Sequence, residues 1–177
     1  MEIFTEVLSP RTMTLVKDEL KKRLSENVWG ISTKQWISPL QTGVIGVIQQ
    51  NLIEGDLRDK ILKDVKEVLP KSYLAKDSDV FVKFNVWQRL SGIALHDDGH
   101  VKNACTLYLN EEWDENDGGI FLWKKDPSHK VFIGCSPVYN QLIVNSKHEW
   151  HKVSLISPLA KQDRYTLQIW EHEKEEK

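Results

Sequence analysis

Residues 94–100, ALHDDGH, place two histidines and two aspartates in seven positions. In extended backbone successive side chains point to opposite faces, so His96 and Asp98 share one face and Asp97 takes the other. An imidazole and a carboxylate aimed at one point are two members of a 2-His-1-carboxylate triad. Such a triad holds a ferrous ion on one side and leaves the remaining positions open for reactants. The second histidine must come from elsewhere, and His100, His129, His148, His151 and His172 are the candidates. His151 is preferred because EWHKVSL opens a β-like run late in the chain, with His148 next in order. The competing reading is an acidic surface turn, since Asp-Asp-Gly needs no metal.

A further feature lies thirteen residues beyond His151, in RYTLQIW. Alternation puts Arg164, Thr166 and Gln168 on one face of this segment and Tyr165, Leu167 and Ile169 on the other. An ordinary sandwich core would fill such a strand with aliphatic residues, so a polar face is unusual here. A planar guanidinium grips a carboxylate with two parallel hydrogen bonds, and a neighbouring hydroxyl adds a third. A carboxylate bound beside iron suggests a keto acid.

The elements that must hold these residues are legible in the rest of the chain. With 177 residues, 40% of them hydrophobic, and seven tryptophans, the chain can bury a core of its own and reads as one domain over 1–177. SPRTMTLVKDELKKRL offers a Ser9 cap, Pro10 in the first turn and a stripe of Met13, Val16, Leu20 and Leu24, which predicts a helix. A second helix is expected after Gly55, where Leu57, Ile61, Val65 and Val68 form a stripe that Pro70 ends. Between them WISPLQTGVIGVIQQ reads as a hairpin or edge strand. From Val80 the period changes to two: Val80, Val82, Phe84 and Val86 alternate with Phe81, Lys83, Asn85 and Trp87. ACTLYLN, GGIFLW, NQLIVN, HKVSLI and RYTLQIW continue as short strands between turn-rich segments. The expected fold is mainly β, of the α+β class. Residues 1–79 give mainly helical support, 80–171 a jelly-roll core and 172–177 a charged tail.

The ordered set HDD, LYLNEEWDENDGGIFLW, EWHKV and RYTLQIW resembles the 2-oxoglutarate and Fe(II)-dependent oxygenases, in particular the prolyl 4-hydroxylase-like branch. The likeness spans roughly residues 80–171. It implies a double-stranded β-helix, a form of jelly roll, with N-terminal supporting helices. It implies that His96, Asp98 and His151 hold Fe(II), that Arg164 binds the distal carboxylate of 2-oxoglutarate with Thr166 beside it, and that Tyr108 donates a hydrogen bond to the same cosubstrate. Dioxygen is the oxidant, ascorbate an accessory reductant, and succinate and CO2 the coproducts. The implied reaction is hydroxylation of an unactivated C–H bond, with a prolyl residue of a peptide or protein as the expected substrate. An oxygenase acting on a free amino acid or other small molecule is the alternative, and a catalytically silent jelly-roll binding module a third reading. Relatives often carry a tyrosine near Trp87, where this chain has an indole that donates but cannot act as a phenol.

Other features take plainer readings. Trp113 and Trp123 flank DENDGG and are expected to cover the core, Gly118 and Gly119 to permit a tight turn with positive φ, and Cys105 and Cys135 to be ordinary core residues. A nucleic-acid partner is not expected. The net charge is −2, no basic block occurs, and the second arginine that nucleobase-repair relatives carry six residues after the first is Trp170 here. The longest apolar stretch, around TGVIGVI, is too short to cross a bilayer, and MEIFTEVLS lacks a secretory pattern, so no membrane partner and a cytoplasmic location are expected.

Overall fold

The computed structural model describes residues 1–31, 48–74, 80–99, 101–146 and 148–172. Most of the hairpin expected over WISPLQTGVIGVIQQ, together with His100 and nearly all of the charged tail, lies outside these residues. Helix α1 (Pro10–Glu26) begins as its sequence predicts, with Ser9 accepting a hydrogen bond from the Thr12 N–H. Met13, Val16 and Leu20 are buried along one stripe, whereas Leu24 near the last turn is exposed. Helix α2 (Gly55–Val68) buries Ile61, Leu62 and Val65, and Pro70 follows its end.

Strands β1 (Glu2–Phe4), β2 (Gly30–Ile31), β3 (Ile48–Ile53), β4 (Val80–Trp87), β6 (Val101–Tyr108), β9 (Leu142–Ser146) and β11 (Arg164–His172) make a sheet of order β1-β9-β6-β11-β4-β3-β2. Strands β5 (Ile93–His96), β7 (Phe121–Lys124), β8 (Ile133–Cys135) and β10 (Trp150–Val153) make a second, of order β5-β10-β7-β8. The ladders are antiparallel throughout. These two packed antiparallel sheets make the expected double-stranded β-helix. The N-terminal part contributes more than helices, since β1, β2 and β3 extend the larger sheet on both sides.

Period-two alternation divides the larger sheet into two differently employed faces. Val82, Phe84 and Val86 of β4, Cys105 and Leu107 of β6, and Leu167 and Ile169 of β11 pack with Val16, Ile61 and Val65 of the helices in one core. The intervening residues point the other way, toward the smaller sheet. There Trp87, Tyr108, Phe121, Ile143 and Val153 form a second core around the cleft between the sheets. Cys105 and Cys135 are both free, and full burial pushes the Cys105 thiol up to about 12. No described helix is long and apolar enough to cross a membrane.

The turn before β7 is set by Gly118 and Gly119, both at positive φ, +73° and +64°. A Cβ at Gly118 would stand 2.1 Å from the Leu155 carbonyl oxygen, a contact that only backbone displacement could relieve. Gly118→Ala is therefore expected to lower stability by at least about 2 kcal/mol, or roughly 4–8 °C in Tm. A thermal melt coincident with that of the wild type would refute this account of the turn.

Candidate metal and cosubstrate site

The cleft between the sheets is lined by side chains of β4, β5, β6, β7, β10 and β11, among others. His96 closes β5 and stands opposite His151 of β10 in the antiparallel register, with ring centroids 4.3 Å apart. The sequence places Asp98 on the same strand as His96, but β5 ends at His96 and Asp98 sits in the turn that follows. The turn still delivers the carboxylate. Asp98 Oδ1 is 3.7 Å from His96 Nε2 and Asp98 Oδ2 is 3.4 Å from His151 Nε2, while Asn145 donates to Oδ2 at 3.3 Å. One ligand atom from each of His96, Asp98 and His151 lies within 4.8 Å of the others.

Both imidazoles are oriented from behind. His96 Nδ1 lies 2.9 Å from the Ala94 carbonyl oxygen and His151 Nδ1 lies 3.0 Å from that of Glu149. A carbonyl accepts only, so each Nδ1 carries the proton and each Nε2 turns its lone pair to the shared point. Burial, followed by the neighbouring His151, pushes the His96 pKa below its ordinary value, which favours the neutral form that a metal requires. Phe121 stacks on the His151 ring at 5.1 Å and fixes its plane. Two Nε2 atoms and a carboxylate oxygen on one side of a cleft suit a divalent transition metal with open positions.

Arg164 and Tyr108 line the cleft, and Thr166, opposite Tyr108 in the β6–β11 register, is buried beside them. Arg164 is 1% exposed, and its guanidinium lies over the Trp87 ring at 4.1 Å. Its Nη1 donates to the Gly119 carbonyl, while Nε and Nη2 are buried without a partner. Burial lowers its pKa only to about 10, so it remains a cation at neutral pH. A Cβ on Gly119 would meet Arg164 Cδ at 3.1 Å, so the glycine also makes room for the side chain. The Tyr108 hydroxyl is likewise buried and unpartnered, and burial raises its pKa so that it stays a donor. Thr166 Oγ1 accepts from Trp87 Nε1 at 3.1 Å, which leaves its own hydrogen to donate elsewhere. Unsatisfied donors at this depth are costly, and a bound carboxylate would satisfy them.

Among the described residues, the other sequence candidates, His148, His129 and His172, lie apart. His148 has φ +64°, is exposed, and pairs with Asp97 at 3.2 Å. His129 is on the surface with Asp126 at 2.7 Å, and His172 contacts Phe81 and Trp170 at the far end of β11. Trp113 covers the second core and donates to the Gly118 carbonyl at 3.0 Å, and Trp123 packs against the same core. Sequence reading left out the Trp87 stack on Arg164. The alternation of β4 placed Trp87 on the cleft face, but its partner depended on the register between β4 and β11.

The sequence profile of the 2OG-Fe(II) oxygenase superfamily matches residues 82–172. No curated protein sequence matches the chain. A prolyl-4-hydroxylase of Pseudomonas putida has a similar structure, with a TM-score of 0.69 at 19% identity over 98% of this chain and 92% of that one. A Trichoplax adhaerens prolyl hydroxylase, solved with a peptide fragment of the hypoxia inducible factor oxygen degradation domain, gives 0.73 at 16% identity over 97% and 82%. The carbocyclase SnoK from nogalamycin biosynthesis gives 0.62 at 9% identity over 95% and 77%. At these identities the likeness is one of fold.

Proposed function

Because the chain belongs to the 2OG-Fe(II) oxygenase superfamily, and so works with Fe(II), 2-oxoglutarate and dioxygen, we propose that it hydroxylates a prolyl residue in a peptide or protein. In this reading His96, Asp98 and His151 hold the iron, and Arg164, Tyr108 and Thr166 hold the cosubstrate. The observation that carries it is the pairing of two features in one cleft: the convergent His-Asp-His set and the buried guanidinium with two nitrogens unpartnered. Bound together, Fe(II), 2-oxoglutarate and dioxygen supply an oxidation strong enough for an unactivated C–H bond, with succinate and CO2 as coproducts.

The chain's own residues bind, orient and shield. The Ala94 and Glu149 carbonyls hold the two imidazoles in the ligating tautomer. Arg164 offers Nε and Nη2 as a fork to the distal carboxylate, Thr166 adds its hydroxyl hydrogen, and Tyr108 adds a third donor from β6. Trp87, Phe121, Ile93 and Val153 line the same cleft with apolar surface and exclude water from it.

The choice of a prolyl substrate is supported by the two prolyl hydroxylases of similar fold, one of them solved with a peptide. Incubation of the iron-loaded protein with 2-oxoglutarate and a library of proline-containing peptides is expected to give a +16 mass shift on proline, matched by succinate. Succinate release stimulated only by small molecules would move the substrate class while leaving the oxygenase centre in place.

A further inference from the structure

A second cation, Lys83, lies against the cleft's wall through the lining residue Trp170, and the cosubstrate reading gives it no task. Strand alternation puts Lys83 on the same face of β4 as Asn85 and Trp87, both of which line the cleft. Its ammonium lies 4.8 Å from the centroid of Trp170, another lining residue. Lys83 is half-buried, desolvation lowers its pKa, and it forms no ion pair among the described residues. A ring face compensates only part of the hydration that such a cation has given up. Asn85, two residues along, is 1% exposed, and its Oδ1 has no hydrogen-bond partner. An unpartnered acceptor and an unpaired cation thus stand side by side on one wall.

Their position separates them from the cosubstrate end. The β4–β11 register sets Arg164 opposite Trp87 and Gln168 opposite Lys83. Four residues of strand, at about 3.3 Å each, put roughly 13 Å between the two cations along the sheet. Arg164 lines the cleft, and Lys83 lies farther along the same face of the larger sheet, beside the lining residue Trp170, with His96 and His151 on the facing sheet.

We propose that Lys83 and Asn85 form a recognition subsite for the molecule to be oxidised, Lys83 taking a carboxylate and Asn85 Oδ1 an amide N–H. The substrate class is then an acylated amino-acid anion, supplied by an acidic side chain in a peptide or by a terminal carboxylate. This rests on the reading of the cleft as the oxygenase centre, and narrows it. The subsite is open to a small probe without knowledge of the natural substrate.

The test uses full-length protein loaded with Mn(II) and saturating 2-oxoglutarate, with uptake of both verified by water-proton relaxation. Paramagnetic broadening of the acetyl methyl signal is compared for N-acetylglycine and its neutral amide. The acid is expected to broaden at least fivefold more, the excess to vanish in Lys83→Gln and to persist in Lys83→Arg, with Mn(II) and 2-oxoglutarate affinities and Tm unchanged in both. N-acetyl-aspartyl amide, whose carboxylate is on the side chain, separates the two sources by which acid is broadened more. Equal broadening of acid and amide, no broadening of either, an excess untouched by Lys83→Gln, or an excess displaced by further 2-oxoglutarate would each overturn the subsite. Failure of the wild type to take up Mn(II) and 2-oxoglutarate is a different result, one that removes the oxygenase-centre reading and the subsite with it.

Discussion

His151→Ala is expected to weaken divalent-metal binding by at least about 100-fold and to abolish 2-oxoglutarate turnover, whereas His148→Ala leaves both within about twofold of wild type. The contrast follows from placement. His151 projects from β10 opposite His96, is 5% exposed, and has its Nδ1 fixed by the Glu149 carbonyl. Loss of a partner that merely orients a ligand already weakens metal sites by about 10–100-fold, and loss of the ligand itself should exceed that range. His148 is three residues away in sequence but lies at the surface with Asp97. Titration with Mn(II), followed by its electron paramagnetic resonance signal, separates the two variants. Retention of the metal by His151→Ala together with its loss in His148→Ala would mean that the wrong histidine has been assigned.

Arg164→Lys should keep the metal and raise the Kd for 2-oxoglutarate by about tenfold or more, corresponding to at least about 1.4 kcal/mol. Lysine preserves the positive charge but loses the planar fork, and an ammonium is more strongly hydrated than a guanidinium. The native guanidinium is held from three sides: the Gly119 carbonyl accepts from Nη1, Trp87 covers one face, and the Tyr108 ring lies 5.7 Å away. A shorter ammonium would leave part of this pocket unfilled and one carboxylate oxygen without a partner. Calorimetry of 2-oxoglutarate binding to the Mn(II)-loaded variant measures the effect. An unchanged Kd would remove Arg164 from the site.

Much of this arrangement can be read from single residues. The alternation of RYTLQIW separates Arg164, Thr166 and Gln168 from Leu167 and Ile169, and the structure divides them the same way, between cleft and helix-side core. The stripes of α1 and α2, and their ends at Ser9 and Pro70, follow from spacing and cap chemistry. What escapes is pairing at a distance. Strands β1 and β2 contain three and two residues, too few for any period, and they exist because β9 and β3 offer open edges. Strand β8, with three residues, is similarly silent. The stack of Trp87 on Arg164 and the placement of Lys83 over Trp170 depend on which strand lies beside β4, a register that no local pattern specifies.

The unequal mounting of the three convergent residues, His96, Asp98 and His151, has a chemical consequence. His96 and His151 sit directly across from each other on paired strands, so the ladder fixes their separation. Asp98 reaches the same point from a turn, tied by its backbone oxygen to the Val101 N–H at 2.7 Å and by its side chain to Asn145. Two jaws of the grip are thus set by the strand ladder, and the third by a turn and two hydrogen bonds, an arrangement more easily displaced than a ladder. Ions of different radius can then be accommodated by displacement of the carboxylate alone, so the pocket should discriminate poorly by size. Affinities for Mn(II), Fe(II), Co(II) and Ni(II) would climb in the ordinary Irving–Williams sequence. The protein's use of Fe(II), the ion of its family, over the tighter-binding ions would then rest on the free concentrations of the competitors and not on the size of the pocket.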